Sequence, residues 1–504
     1  MAKRSNSSRR NTQTSSRRGY SDEDIRRSFR EDDFYAGSTS GNSKEKIFTS
    51  IYEDIDSDEW QSSHRSNDRT NERSRTGQSG RASRRGRSNR RESQPSRGRR
   101  SGALIQKKER KPFGSSFVLP KKEESDFTII ACVVLLSFIG LVMVTSSSYY
   151  YAYTTLGDSM HFFRRQLIWL VLGSVVMVVA MKLPWILRWL KRFAWPIYLV
   201  SVVCNILVFF IGIEVNGSTR WLGVGQLSFQ PAELSKFAVA LLMSVLVEEH
   251  QEDITDKRVF WTLLGIIAVP TVLVVIENLS SAVIIAAIGV IIMFIGGAKI
   301  KDFLLPVVIV GSAAFVFLVL PMMIPLEAFP EFIRGAVESV LYRTDRIQAW
   351  LDPFAFAQDE GYQTVQSLYA VASGGFFGRG LGQSIQKLGF IPEAHNDIIF
   401  SIICEELGMF GAIIVIVLFG MFTWHGIKIS LSAPNKFTAL LSAGIVGQIA
   451  VQAILNIAVN TNTIPPTGVS LPFISYGGSS LLFLMASVGI LLNISSYTRK
   501  TSAS

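Results

Sequence analysis

Residues 259–297 read VFWTLLGIIAVPTVLVVIENLSSAVIIAAIGVIIMFIGG, and this stretch decides the fold class. Its two apolar runs, 259–276 and 280–297, are separated only by Glu277, Asn278 and Leu279. Each run is long enough to cross the roughly 30 Å of hydrocarbon in a bilayer as an α-helix. The stretch therefore predicts a tight transmembrane helical hairpin.

Comparable apolar runs recur along the chain. With the hairpin they give ten predicted spans, at about 127–146, 166–182, 193–213, 232–248, 259–276, 280–297, 303–324, 398–424, 437–459 and 477–496. The sequence thus predicts an all-α polytopic membrane protein, with a ten-helix membrane domain over residues 126–500.

The overall composition agrees with this class. Of the 504 residues, 48% are hydrophobic and only 18% are charged, whereas about a quarter of the residues of a soluble domain are charged. The three cysteines lie far apart, each inside an apolar run, so no disulfide framework or metal spacing is indicated. These features exclude a single soluble domain, a secreted disulfide scaffold and a coiled coil.

Residues 1–125 are a different kind of sequence. They contain 30 Lys and Arg against 18 Asp and Glu, while the remainder of the chain contains 21 against 22. The segment is rich in Ser, Arg, Asn and Gly without a sustained period, which predicts a disordered, basic tail. Attraction of its basic block to anionic lipid is the sharper interpretation. Nucleic acid is not expected as a partner, because no aromatic stacking platform lies among the arginines.

Basic residues in the short loops alternate onto the side of the tail, which predicts that both termini are cytoplasmic. The large loop of about 325–396, between the seventh and eighth helices, is then extracellular. Three outer segments, 216–236, 392–397 and 465–480, are rich in Gly, Pro or polar residues and lead directly into helices. Irregular backbone at membrane depth is tolerated only where it is buried in protein or lines a cavity. These segments predict a shared outward-facing cavity.

A few ionisable residues border that cavity. Glu233 and Lys236 are spaced i, i+3 and share one helix face, either as an intrahelical pair or as part of a site. Asp397 starts the eighth helix, where it is either an N-terminal cap or a reactive acid. His395 is either a base or a hydrogen-bonding support.

Other conspicuous residues favour structural roles. Glu405 and Glu406 follow Asp397 about 12–13 Å deeper along the helix, where buried anchors are expected. The glycine-dense stretches 374–375 and 378–382 form either tight turns or a close backbone approach to a sugar or phosphate. No preceding strand supports an ATP phosphate loop there. On pattern alone, a transporter and a membrane-embedded transferase both remain open.

Longer motifs carry a family resemblance. They are Trp221–Lys236 (WLGVGQLSFQPAELSK), Gly361-Tyr-Gln with Gln366-Ser367, Gly378–Gly382, Pro392–Asp397 (PEAHND), Glu405–Gly408 (EELG) and Leu471–Ser480 (LPFISYGGSS). Together they resemble the SEDS family of cell shape, division and sporulation proteins across residues 126–500. The Pro-Glu-Ala-His run before Asp397 is more similar to the division member, FtsW, than to the elongation member, RodA. Asn396 stands where Thr is more usual. Thr467 stands where some members carry Lys, which argues against a catalytic cation in that loop.

The resemblance implies a peptidoglycan glycosyltransferase that polymerises lipid II, a disaccharide-pentapeptide on undecaprenyl diphosphate, at the outer face of the membrane during cell division. The transfer inverts the anomeric carbon, and Asp397 matches the family's essential acid and general base. Lys236 and Arg220 are placed near the departing diphosphate, or Lys236 holds Asp397 ionised. Expected substrate-binding residues are Trp221, Gln230, Glu233, His395, Ser475, Gly477 and Ser479. No cofactor is certain; a divalent cation, Mg2+ or Mn2+, would suit the chemistry, although no ligand cluster shows it.

The resemblance also implies partners and a location. A class B penicillin-binding protein transpeptidase and other division proteins are expected at the division septum. Two other functions stay open from the residues: a lipid II flippase or other transporter using the same cavity, and a non-catalytic division scaffold acting through the tail. A transporter needs access from both sides, and the predicted cytoplasmic loops are short. The sequence does not decide which transpeptidase is the partner, or whether division or spore wall is served.

Overall fold

The structure, a computed structural model, describes residues 125–215, 218–224, 227–323 and 345–498. The predicted tail up to residue 124 and residues 324–344 of the predicted large loop lie outside these ranges.

The described chain is mainly helical. Its helices are α1 Phe127–Leu156, α2 His161–Lys182, α3 Ile186–Arg192, α4 Ala194–Ile211, α5 Pro231–Glu249, α6 Lys257–Glu277, α7 Leu279–Gly296, α8 Leu304–Met323, α9 345–351, α10 Tyr362–Ser373, α11 Ile399–Ser432, α12 Lys436–Asn460 and α13 Gly478–Ser495, with a 3-10 turn at Ile300–Phe303. Its strands are β1 Ile213–Val215, β2 Ser218–Val224 and β3 Leu227–Phe229.

Among the described residues, eight helices are long and apolar enough to cross a membrane: α1, α2, α4, α6, α7, α11, α12 and α13. The predicted hairpin is present as α6 and α7, with Asn278 between them capping α7 through Ser281 N. The two other predicted spans coincide with α5 and α8. Helix α5 is buried along most of its length and packs against α4, α7 and α12. It therefore forms the centre of the bundle.

The expectation of an all-α fold was wrong in one place. Strands β1, β2 and β3 form a small antiparallel sheet between α4 and α5, in the order β1-β2-β3. The dipeptide Asn216-Gly217 follows β1 in the sequence, and such a pair is a strong hairpin signal. The segment was instead predicted to be irregular because its glycines and polar residues mask the short strands.

Helix α1 is longer than the predicted 127–146 because its polar end stays helical. The hydroxyl of Thr145 donates to Leu141 O at 2.6 Å within the same helix. Gly157 then ends α1 in the left-handed conformation, at φ 68°, and its N–H donates to Tyr153 O. The large loop also contains regular structure, since it includes α9 and α10, and α10 packs along α11.

Helix α11 is broken at Gly408, which has φ 69° and ψ −169°. The main-chain groups at this break bond to residues 374–382, called here the glycine segment. Arg379 N and Gly380 N donate to Glu405 O and Glu406 O at 2.9 and 3.0 Å, and Met409 N and Phe410 N donate to Gly375 O and Phe376 O at 2.9 and 3.1 Å.

The glycines permit this crossing. A Cβ on Gly378 would lie 2.2 Å from Glu406 O, and one on Gly408 would lie 2.3 Å from Gly378 N. The close backbone approach that the sequence suggested is therefore made to α11 and not to a ligand. Glu405 and Glu406 help to hold the same region: Glu405 accepts from Ile385 N at 3.0 Å, and Glu406 accepts from Lys387 Nζ at 2.7 Å. These contacts agree with their expected role as buried anchors.

Candidate active site

Polar side chains gather at one end of the bundle, called here the site end. At this end α4 leads through the sheet into α5, α6 meets α7, α11 and α13 begin, and α12 ends. The connections touch each other: Ser280 Oγ donates to Thr467 O, and Tyr476 N donates to His395 O at 3.0 Å. All three polar segments predicted to share a cavity come to the site end.

Asp397 lies at the centre of this region and is half-buried. The alternative in which it caps α11 is wrong, because Ile398 occupies the cap position and the helix has no side-chain cap bond. Its main-chain oxygen instead accepts from Asn456 Nδ2 at 2.7 Å and from Asn460 Nδ2 at 2.9 Å. The backbone of Asp397 is thus fixed while its carboxylate remains available for other contacts.

The two asparagines belong to a polar row on α12. Gln448, Gln452, Asn456 and Asn460 are four residues apart, so they share one helix face. Asn456 Nδ2 also donates to Val469 O at 2.6 Å, and Asn460 Oδ1 accepts from Ser401 N at 3.1 Å. The sequence reasoning missed this row. Amide side chains every four residues in an otherwise apolar span were the signal that could have found it.

The surroundings of Asp397 hold its carboxyl between opposing influences. Burial is the main cause and raises its pKa above the ordinary value, and Glu393 raises it too, whereas Arg220 and Arg346 lower it. Arg220 was predicted at this site and comes from β2. Arg346 was not predicted and comes from α9. The buried Nε of Arg220 has no hydrogen-bond partner among the described residues. The arrangement provides one acid within the electrostatic reach of two guanidinium groups.

Lys236 lies in a second, deeper network. Its side chain is only 1% exposed, and Nζ donates to Glu233 Oε1 at 2.6 Å and to Gln452 Oε1 at 3.4 Å. Gln452 Nε2 in turn donates to Ser470 O at 3.1 Å. Lys236 therefore pairs with Glu233 along α5 and not with Asp397. Because Gln452 and Asn456 are adjacent on the α12 row, the two networks are joined through α12.

The segment before α13 is largely buried without being helical. Ser475 Oγ accepts from Leu471 N at 2.7 Å, and Gly477 N donates to Gln166 Oε1 at 3.5 Å. Ser475 and Glu233 line one narrow cavity. The hydroxyl of Ser479 is buried without a partner among the described residues. These predicted substrate residues thus lie beside the Lys236 network.

The predicted substrate residues Trp221 and Gln230 lie where β2 and β3 lead into α5. Trp221 is half-buried, and its Nε1 has no hydrogen-bond partner among the described residues. Gln230 precedes α5 at its cap position without making a side-chain cap bond. Both side chains therefore retain unused hydrogen-bonding groups at the site end.

His395 is enclosed by aromatic rings and is only 2% exposed. The ring centroids of Phe162, Tyr476 and Tyr151 lie 4.3, 5.6 and 5.7 Å from its own. This burial lowers the pKa of the imidazole to about 4, which leaves it neutral at pH 7. The geometry favours the interpretation of His395 as a support for the loop that carries Asp397.

The carboxylates of the site end do not by themselves form a metal site. Asp397 has Glu393 as an acidic neighbour, but two guanidinium groups already oppose these charges. Within the parts of the chain that the structure describes, no group of three or more His, Cys, Asp or Glu side chains is placed to hold a metal ion.

These observations define a class: a polytopic helical membrane protein with a polar, acid-containing site at one end of the bundle. Residues 126–500 match the family model described as "Cell cycle protein", which is the model of FtsW, RodA and SpoVE. The chain therefore belongs to this family, as the SEDS resemblance predicted.

Curated relatives agree with this assignment. Stage V sporulation protein E of Bacillus subtilis is 37% identical over 386 residues, which are 75% of this chain and 99% of the relative. A probable peptidoglycan glycosyltransferase FtsW of Geobacter metallireducens is 35% identical over 389 residues, 76% of this chain and 98% of the relative. The FtsW-named relatives support the FtsW-like resemblance.

A solved structure shares the fold. It is described as "Structural coordination of polymerization and crosslinking by a peptidoglycan synthase complex" and has a TM-score of 0.58 and 24% sequence identity. The match covers 74% of this chain and 97% of the solved chain. This similarity supports the architecture of the bundle.

Proposed function

We propose that this protein is a peptidoglycan glycosyltransferase that polymerises lipid II during cell division. The observation that carries the proposal is the geometry of Asp397, whose backbone is fixed by Asn456 and Asn460 and whose carboxyl lies within the electrostatic reach of Arg220 and Arg346. The names of the FtsW relatives support the same reaction.

The proposed reaction is an inverting glycosyl transfer. The acceptor hydroxyl gives its proton to the carboxylate of Asp397 as its oxygen bonds to the anomeric carbon of the donor sugar. The bond from that carbon to the diphosphate oxygen breaks, and the electron pair leaves with the diphosphate. A positioned base of this kind contributes about 10²–10⁴-fold to the rate. Arg220 is a suitable cation for the charge that grows on the diphosphate.

Lys236 has a different proposed place. It is buried in its pair with Glu233, so we assign to it the support of the α5–α12 contact rather than contact with the diphosphate. Glu233, Gln230, Ser475, Gly477 and Ser479 then shape the site from below. A divalent cation is not needed to write the reaction, and the donor groups named here are used without one.

The proposed topology has ten crossings. Helices α5 and α8 supply the two crossings beyond the eight apolar helices, because a helix buried inside a bundle can span a membrane while carrying charges that pair with each other. The basic loop residues support cytoplasmic termini. This orientation puts the site end at the outer face, where a lipid-linked sugar donor is polymerised.

The proposed partner is a class B penicillin-binding protein that crosslinks the new strands at the septum. The solved structure of a peptidoglycan synthase complex, whose described chain has the same fold, supports a paired polymerase and crosslinker. The basic tail is placed on the cytoplasmic side, where anionic lipid is available to it.

The experiment is a polymerisation assay with the purified full-length chain and its transpeptidase partner in liposomes containing lipid II. Glycan strands are the expected product from the wild type, and none from Asp397→Asn. Asp158→Asn is the matched control, because Asp158 is an exposed acid of the same type that pairs with Arg164. Movement of fluorescent lipid II across the bilayer without any polymer would replace the proposal with a flippase.

A further inference from the structure

A cavity of about 170 Å³ lies near Asp397 and has no part in the chemistry described above. Its walls come from the start of α9, the turn before α10, the first residues of α10 and the loop before α13. The lining side chains that matter here are Arg346, Asp359, Glu360, Gln363 and Pro466. No residue of the sequence-based site belongs to this cavity.

The cavity and Asp397 share a wall. Pro466 is followed by Thr467 and Gly468, and a Cβ on Gly468 would stand 3.6 Å from Oδ2 of Asp397. The buried hydroxyl of Thr467 has no hydrogen-bond partner among the described residues. Arg346, on the opposite wall, is near enough to Asp397 to influence its charge. A ligand in the cavity therefore lies within a short reach of the acid.

The charges of the lining select against a phosphate. The guanidinium of Arg346 pairs with Glu360 at 3.6 Å, and Asp359 adds a second carboxylate. One cation and two anions leave a net negative lining, which repels a diphosphate. The carboxylates can accept hydrogen bonds from hydroxyl groups, and Arg346 and Gln363 can donate to ring and amide oxygens. This combination suits a neutral sugar, and the volume suits a single ring.

We propose that this cavity binds the acceptor sugar, the hexosamine whose hydroxyl attacks the donor. The inference rests on the proposed function and adds to it a division of the site. The acceptor occupies the Arg346 side, the diphosphate of the donor occupies the Arg220 side, and Asp397 receives the acceptor proton. The attacking hydroxyl becomes the bridging oxygen of the new bond, and Asp397 finishes the step as a neutral carboxylic acid.

The test uses an acceptor that cannot act as a donor. A labelled, soluble GlcNAc–MurNAc disaccharide without lipid or diphosphate is added to the full-length protein and its partner in liposomes that contain lipid II. Wild-type protein should incorporate the label at strand ends. Gln363→Ala and Glu360→Gln should each raise the half-saturating concentration of the disaccharide about tenfold or more, with a smaller effect on the maximal rate. Asp158→Asn should match the wild type.

A second measurement is independent of turnover. A diazirine analogue of the same disaccharide should crosslink to the peptide containing residues 359–364 in the wild type and in Asp397→Asn. Crosslinking to the β2 peptide around Arg220 instead would overturn the proposal. So would equal half-saturation in the cavity variants and the wild type, absence of label incorporation by the wild type, or capture that requires the stem peptide on the disaccharide. In each of these cases polymer formation from lipid II still reports on the proposed function separately.

Discussion

The side-chain amide of Asn456 donates to the main-chain oxygen of Asp397 at 2.7 Å, although the two residues are 59 positions apart in the chain. The same amide holds Val469 O at 2.6 Å, beside Gly468, which faces the carboxylate. One side chain of α12 therefore fixes both the acid and the loop against which the acid lies.

Asn456→Ala should lower the turnover rate about 10–100-fold, because two buried carbonyl groups lose their donor and the acid moves. The affinity for lipid II should change much less than kcat, since Asn456 touches no proposed substrate group. Polymerisation kinetics and the melting temperature would be measured together. Gln448→Ala is the control on the same helix face. A KM effect larger than the kcat effect would contradict the positioning role.

Arg220→Ala should change the pH dependence of the reaction. Asp397 works as a base only when ionised, so kcat/KM falls as the pH drops through its pKa, which burial has raised. Arg220 lowers that pKa, and its removal should therefore move the acidic limb to higher pH. The pH–rate profile measures the shift. Arg258→Ala, an exposed arginine at the other end of the bundle, should leave the limb in place; an unmoved limb in Arg220→Ala would remove Arg220 from the site.

The Lys236–Glu233 pair should behave as a unit. Lys236→Met or Glu233→Gln alone leaves a buried charge without its partner, which costs about 3–5 kcal/mol of stability. The double variant should recover most of the loss in a detergent unfolding assay. It should also recover polymerisation if Lys236 supports the structure. A stable but inactive double variant would instead return Lys236 to the diphosphate.

Gly408→Ala should prevent correct folding, because its φ is +69° and the added methyl would lie 2.3 Å from Gly378 N. Gly420→Ala is a matched control in the same helix, where a Cβ meets nothing within 4 Å. Yield and melting temperature in detergent would compare the two. Equal stability of the two variants would show that the glycine segment can move away from α11.

Deletion of residues 1–110 should leave polymerisation in vitro nearly unchanged, since every residue of the described site lies in the membrane domain. In cells the same deletion should weaken localisation, because the basic block that can meet anionic lipid is lost. Lipid II polymerisation and the position of a fluorescent fusion would be measured on the same variant. Loss of polymerisation by a well-folded truncated protein would give the tail a part in catalysis.

Hydropathy was enough to predict the helices that face lipid, because the thickness of the bilayer sets the length of an apolar run. It did not predict the break at Gly408, since the hydrogen bonds that compensate for it come from a segment about 30 residues earlier. Asp397 and Arg220 were recognisable by motif. Arg346 and Asn456 were not, because their value depends on which residues the fold brings beside them.

The contacts of the site also imply an order of assembly. The glycine segment meets α11 through hydrogen bonds between residues close in the chain, so this unit can form as soon as α11 is in the membrane. The backbone of Asp397 is fixed only when α12 and the following loop arrive. During synthesis the acid is therefore set in place late, and an incompletely inserted chain should be unable to start a glycan strand.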